Sequence, residues 1–156
     1  MKKKIGIFCV LFFVLDFLSK IIIDNNLDLA KPIIIIDNFF KITKVYNYGA
    51  SWSILTGYNV ILIIIAILML IFLYFYEQKF IDNIRNILAF SLLYGGILGN
   101  LVNRIFLGYV IDFLDFNIFG YNYPVFNLAD IWIVCGTILL AIGIIRKEDD
   151  YGNNSK

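Results

Sequence analysis

Tyr58-Asn59-Val60-Ile61-Leu62-Ile63-Ile64-Ile65-Ala66-Ile67-Leu68-Met69-Leu70-Ile71-Phe72-Leu73-Tyr74-Phe75-Tyr76 contains no charged residue. About 20 apolar residues are what a helix needs to cross the hydrocarbon of a bilayer. The run is continuous rather than alternating, so it reads as a helix with its backbone satisfied internally, and not as a barrel strand. Three further runs, 5–23, 86–102 and 128–145, approach the same length. With 156 residues of which 61% are hydrophobic, and a mean hydropathy of +0.84, the chain is too apolar for a soluble domain. The expected fold is an all-α membrane protein, one domain over 1–156, with four transmembrane helices and a small extracytoplasmic β-sheet. Segments 24–57 and 103–127 are expected to lie outside the membrane.

Short basic segments stay on the cytoplasmic side. Lys2, Lys3 and Lys4, then Lys79 and Arg85, then Arg146 and Lys147 all fall on one side of the four runs. Both termini are therefore expected in the cytoplasm and both longer connections outside. The first connection does carry Lys31, Lys41 and Lys44, but among Asp24, Asp28 and Asp37. The opening Met1-Lys2-Lys3-Lys4 resembles the start of a secretory signal, yet no small-residue cleavage site follows, and Gly6-Ile7-Phe8 before Cys9 is not a lipobox. A retained first helix is expected. Cys9 and Cys135 read as small buried hydrophobes, with no disulfide or metal role. The polar tail 146–156 reads as disordered.

Between the first two helices, Pro32 opens Ile33-Ile34-Ile35-Ile36, Asp37-Asn38 makes a turn, and 39–46 alternates between apolar and polar side chains. These features predict a small sheet whose exposed apolar residues suit a membrane surface. Asn47-Tyr48-Gly49-Ala50-Ser51-Trp52-Ser53 then brings small residues and an amide close to the helices, with Gly49 permitting a close backbone approach. A second strand-like element, 108–116, returns toward the membrane, and 121–126 is an aromatic interfacial loop.

Ionisable groups beside membrane-length helices are functional candidates, because an unpaired charge near lipid is costly. Asp16 and Lys20 stand i,i+4 on one face of the first helix and read first as a structural ion pair. Gly95-x-x-x-Gly99, with Gly96, makes a small-residue face for close helix packing. Asn100 and Arg104 project from one face at the outer end of the third helix. Arg104 is either an interfacial anchor or a guanidinium that holds Asp112 or Asp130 in its charged form. Asn127 and Asp130, three residues apart at the start of the fourth helix, share a face. All these groups are expected at one depth, lining one cavity near the outer surface.

The absence of histidine removes Ser-His-Asp triads, Ser-His dyads and His-Glu-x-x-His zinc sites. Carboxylates remain. Two aspartates sharing a site cannot easily both ionise, which leaves one acid and one base. A helix N-terminus favours negative charge at Asp130. Two other readings stay open at this point, a small transporter or channel subunit and a noncatalytic scaffold. Against the first, the inner half of the bundle offers no polar track.

Gly99-Asn100-Leu101-Val102-Asn103-Arg104, Val110-Ile111-Asp112-Phe113 and Phe126-Asn127-Leu128-Ala129-Asp130 resemble the hallmarks of the bacterial lipoprotein signal peptidases (signal peptidase II). Those hallmarks are G-N-(L/I)-(I/V)-D-R, V-(V/I)-D-F and F-N-(V/I/L)-A-D. Asp16, Lys20 and the Asn47 to Ser53 stretch extend the resemblance over nearly the whole chain. It implies an aspartyl endopeptidase in which Asp112 and Asp130 assist water attack. It also implies substrate-binding or supporting roles for Asp16, Lys20, Asn47, Gly49, Asn100, Arg104 and Asn127, Asn47 meeting the substrate backbone. The implied substrate is a prolipoprotein cleaved immediately before its diacylglyceryl-modified cysteine. The implied setting is a monomer among the lipids of the bacterial cell membrane, its site toward the outer face, with no metal, cofactor or nucleic acid. One residue departs from the pattern: Asn103 stands where the family usually has Asp. If that Asp pairs with a neighbouring Arg, the amide can still accept a hydrogen bond.

Overall fold

The computed structural model describes residues 1–29, 31–49 and 54–149. In chain order these form α1 (Lys2–Asn26), β1 (Ile33–Ile36), β2 (Phe40–Asn47), α2 (Asn59–Tyr76), α3 (Ile84–Phe106), β3 (Val110–Ile118), β4 (Tyr121–Asn122) and α4 (Leu128–Ile145). Among the described residues, four helices are long and apolar enough to cross a membrane, so the chain is a multi-pass membrane protein with a small antiparallel sheet. The half of the Asn47 to Ser53 stretch from Ala50 onward lies outside the described residues.

Helix α3 is the axis of the bundle. It is largely buried, whereas α2 buries only Leu73 and packs mainly on α3. The small residues of α3 explain its place. A Cβ on Gly96 would come within 2.5 Å of the Ala129 carbonyl oxygen, and one on Gly99 would overlap the Asp16 carboxylate. Glycine at these two positions lets α1 and α4 close on α3 from either side. Gly99→Ala is therefore expected to destabilise the protein by about 1–3 kcal/mol, the usual range for overpacking. Thermal unfolding in detergent checks this, and an unchanged Tm would show that α1 does not close on α3 at Gly99.

The sheet runs β1-β2-β3-β4, each neighbour antiparallel. Asn38 takes a left-handed φ of 57° in the expected turn, a conformation asparagine tolerates better than most residues. Lys44 and Tyr46 tie β2 to the end of α1: Lys44 Nζ donates to the Asp24 carbonyl and Tyr46 Oη to Asp24 Oδ1, both at 2.8 Å. Across β2 and β3, Val45 faces Asp112 and Asn47 faces Val110, with an irregularity between Ile42 and Val45.

Four expectations change. Helix α1 takes in Lys2 and runs on to Asn26, beyond 5–23. Helix α3 reaches Phe106 instead of stopping at 102, because Asn83 caps its start and the chain turns only at Leu107 and Gly108, whose φ is +82°. Asn103 and Arg104 thus belong to the helix and not to a loop. The tail is not free from residue 146. The Ile81 N–H donates to the Glu148 carbonyl, and the Glu148 carboxylate pairs with Arg85 and accepts from Asn83 Nδ2 at 2.7 Å, which docks it on the α2–α3 turn. Cys135 is exposed on the outside of α4, where its apolar character suits lipid; Cys9 is half-buried and also unpaired.

Candidate active site

Asp16 and Lys20 are almost fully buried, with side-chain exposures of 0% and 1%. Their charged atoms lie 2.8 Å apart, the Lys20 ammonium on Asp16 Oδ2. The other oxygen, Oδ1, accepts the Ala129 N–H at 2.9 Å. That N–H is one of the donors left unpaired at the start of any helix. Asp16 therefore ties α1 to the first turn of α4 while it neutralises Lys20.

The Lys20 ammonium makes a second bond, to Asn100 Oδ1 at 2.9 Å. An ammonium can only donate, so it forces the oxygen of Asn100 toward itself and the amide NH2 away. That NH2 donates to Asp130 Oδ1 at 2.8 Å. The same logic orients two further asparagines. The Gly49 N–H holds Asn47 Oδ1 at 2.9 Å, which leaves Asn47 Nδ2 to donate to Asp112 Oδ2 at 2.8 Å. The Asp130 N–H holds Asn127 Oδ1 at 3.1 Å, and Asn127 Nδ2 donates to Asp112 Oδ1 at 2.6 Å and to Asn100 Oδ1 at 3.1 Å. Each asparagine reads a fixed donor on one side and presents N–H to an aspartate or its network on the other. Aspartate in their place could not do both.

Asn127 and Asp130 do not simply share a helix face. Asn127 is the N-cap of α4, and the Asp130 Oδ2 accepts the Asn127 N–H at 3.1 Å, closing a capping box. The motif Asn-x-x-Asp before an apolar run carries that signal in the sequence. Asn127 thereby touches both aspartates, Asp112 through its side chain and Asp130 through its main chain. Asp112, on β3 outside the helices, is only 3% exposed. Burial pushes its carboxyl up, and the negative charge of Asp130 pushes the same way. The donors Asn47 and Asn127 and the charge on Lys20 pull back, and the group ends pushed up to about 7.

Arg104 forms no ion pair with a carboxylate among the described residues. Its Nη2 donates to the Gly49 carbonyl at 3.1 Å and its Nη1 to the Asn100 carbonyl at 3.4 Å. The two aspartates are already supplied with amide donors, so the guanidinium holds the backbone beside Asn47 instead. Gly49 has no room for a side chain: a Cβ would lie 2.7 Å from the Ile54 carbonyl oxygen. Asn103 Oδ1 accepts the Ile111 N–H at 3.2 Å. Sequence spacing did not disclose that contact, because the partner is a backbone group. Asp16, Lys20, Asn47, Asn100, Asp112, Asn127 and Asp130 form one hydrogen-bonded cluster where the sheet meets the helices, with Gly49 and Arg104 attached at its edge.

The chain resembles known proteins over almost all its length. The family model for Signal peptidase (SPase) II matches residues 8–146. Lipoprotein signal peptidases of Staphylococcus aureus, from strains JH9 and Newman among others, are 40% identical over 147 residues, covering 94% of this chain and 88% of theirs. Two bacterial membrane enzymes solved by the in meso method superpose with TM-scores of 0.84 and 0.79 at 35% and 37% identity. They cover 97% and 90% of this chain, and it covers 91% of each. With the hallmark residues gathered into one polar cluster and likeness of this extent, the chain belongs to the signal peptidase II family.

Proposed function

We propose that this protein is an intramembrane aspartyl endopeptidase that removes signal peptides from prolipoproteins, cutting immediately before the diacylglyceryl-modified cysteine. The observation that carries the mechanism is that one residue, Asn127, hydrogen-bonds both aspartates, the buried Asp112 and the half-buried Asp130. Asp130, whose oxygens both accept N–H donors at a helix N-terminus, is the base. Asp112, raised to about 7, is the acid. Asp130 takes a proton from water as its oxygen attacks the scissile carbonyl, while Asp112 protonates the carbonyl oxygen. On collapse of the tetrahedral intermediate, the proton on Asp130 passes to the leaving amine and Asp112 recovers its own.

Asn47, Asn100 and Arg104 lie around the pair and offer polar groups to an extended substrate backbone. The basic residues Lys2, Lys3, Lys4, Lys79, Arg85, Arg146 and Lys147 gather at the opposite ends of the helices, which supports cytoplasmic termini and a site at the outer face of the bacterial cell membrane. The substrate's lipid then stays in the outer leaflet beside the site. Both aspartates come from a single chain, so a monomer suffices.

The test is incubation of the purified protein with a diacylglyceryl-modified precursor, its unlipidated counterpart and a series of pH values. Cleavage before the lipidated cysteine only is expected, with kcat/KM falling as pH rises through about 7, where Asp112 loses its proton. The sign follows from the raised carboxyl. Folding favours its protonated form, so the associated stability is complete below about pH 4 and is lost as pH rises through the folded-state value. Equal cleavage of the unlipidated peptide would overturn the substrate assignment. A rate constant from pH 6 to 9 would overturn Asp112 as the acid.

A further inference from the structure

We propose that Asn103 is the positioning residue of Asp112, its amide oxygen locking the register of β3 and its lack of charge keeping a third carboxylate away from the pair. This rests on the role of Asp112 given above. Asp112 is bracketed along the strand by two pinned neighbours. The Ile111 N–H donates to Asn103 Oδ1 at 3.2 Å, and the Phe113 N–H donates to the Phe126 carbonyl at 2.9 Å. One anchor belongs to the end of α3 and the other to the residue that precedes the N-cap of α4. Asp112 is thus referred to the two helices that carry Asn100 and Asp130.

The anchor is needed because strand pairing alone leaves this end of β3 weakly specified. A slip of one residue would send Asp112 to the opposite face of the sheet. The β2–β3 register is irregular between Ile42 and Val45, so the ladder at Phe40 and Phe116 does not dictate which residue faces Val45. Only three residues, 107–109, join α3 to β3, with Gly108 at a φ of +82°. Asn103 also gives its own carbonyl to the Leu107 N–H at 2.8 Å, so one buried residue both ends α3 and starts the placement of the strand.

A carboxylate could accept the Ile111 N–H equally well, but it would add a negative charge one residue from Asp112. The charged groups that already act there are Asp130 of α4, Lys20 of α1 with its partner Asp16, and Arg104 of α3. Asn47 of β2 and Asn127 are neutral. The amide thus supplies the hydrogen bond without changing this balance.

Two variants of the full-length protein test the proposal. Asn103→Leu removes the acceptor at similar volume and is expected to lower kcat about 10- to 100-fold, as displacement of a reacting group by about 1 Å does, with KM within about twofold. Asn103→Asp restores the acceptor and is expected to keep kcat within about threefold of the parent. It should also move the alkaline limb of the pH profile upward by about half a unit to one unit, because a like charge disfavours ionisation. Carboxyl 13C NMR of aspartate-labelled protein in micelles, with the Asp112 signal assigned through Asp112→Asn, should show the same upward shift without any turnover. A kcat for Asn103→Leu within twofold of the parent would overturn the positioning role. An unmoved Asp112 titration in Asn103→Asp would overturn the role of the neutral amide, and this second variant decides the matter if the leucine variant does not fold. An upward shift in a protein that cleaves no lipidated precursor would overturn the peptidase reading while leaving the coupling of Asn103 to Asp112 in place.

Discussion

Asp112→Asn and Asp130→Asn are each expected to lower the rate of precursor cleavage by about 10⁴-fold, the upper range for loss of a general acid or base. The folded state should persist in both. An amide at 112 keeps one acceptor for Asn47 or Asn127 and loses the other, a local loss of about 1–3 kcal/mol. An amide at 130 keeps an oxygen for either Asn100 or the capping box. Because the two groups act as a unit, the double variant should be no slower than either single one. Rates measured beside unfolding curves separate chemistry from folding. Turnover within tenfold of the parent in either single variant would remove the two-aspartate mechanism.

Asp16→Ala is expected to destabilise the protein by about 3–5 kcal/mol, since it strands a buried ammonium. Lys20 would keep only Asn100, and the Ala129 N–H at the start of α4 would lose its acceptor. Lys20→Met should fall in the same range, because Asp16 then stays buried without a cation. The paired variant Asp16→Leu with Lys20→Met should recover much of that loss, as apolar replacements of buried ion pairs commonly do. Its activity should remain low: without the ammonium, only the 3.1 Å bond from Asn127 Nδ2 to Asn100 Oδ1 is left to turn the Asn100 NH2 toward Asp130. Denaturation in detergent and cleavage rates, measured on all three, check both halves. Stability losses that simply add in the paired variant would show that the two charges do not act together.

The four helices, their order and the sheet between them were legible in the chain because each rests on local chemistry. A membrane-length apolar run must fold as a helix whatever its neighbours, and the alternation at 39–46 suits a strand wherever it docks. Even the central place of α3 left a trace, for it is the least apolar of the four and carries Gly95, Gly96 and Gly99. The hallmark aspartates and asparagines were legible too, as residue types that lipid does not tolerate without a purpose.

What each of them touches was decided only by the tertiary structure. The Asp16 contact with Ala129 spans 113 residues and that of Asn47 with Asp112 spans 65, distances over which no local periodicity carries information. Arg104 illustrates the consequence. Its charge and place at the helix end allowed an interfacial anchor or a carboxylate partner, yet both aspartates already receive N–H groups from oriented amides, and the guanidinium meets the Gly49 carbonyl. Asn103 is the same case in reverse, an apparent lost carboxylate whose work is to hold a backbone N–H. Side-chain chemistry determines which bonds a residue is able to make; which of them it makes depends on the donors and acceptors that folding brings within about 3 Å.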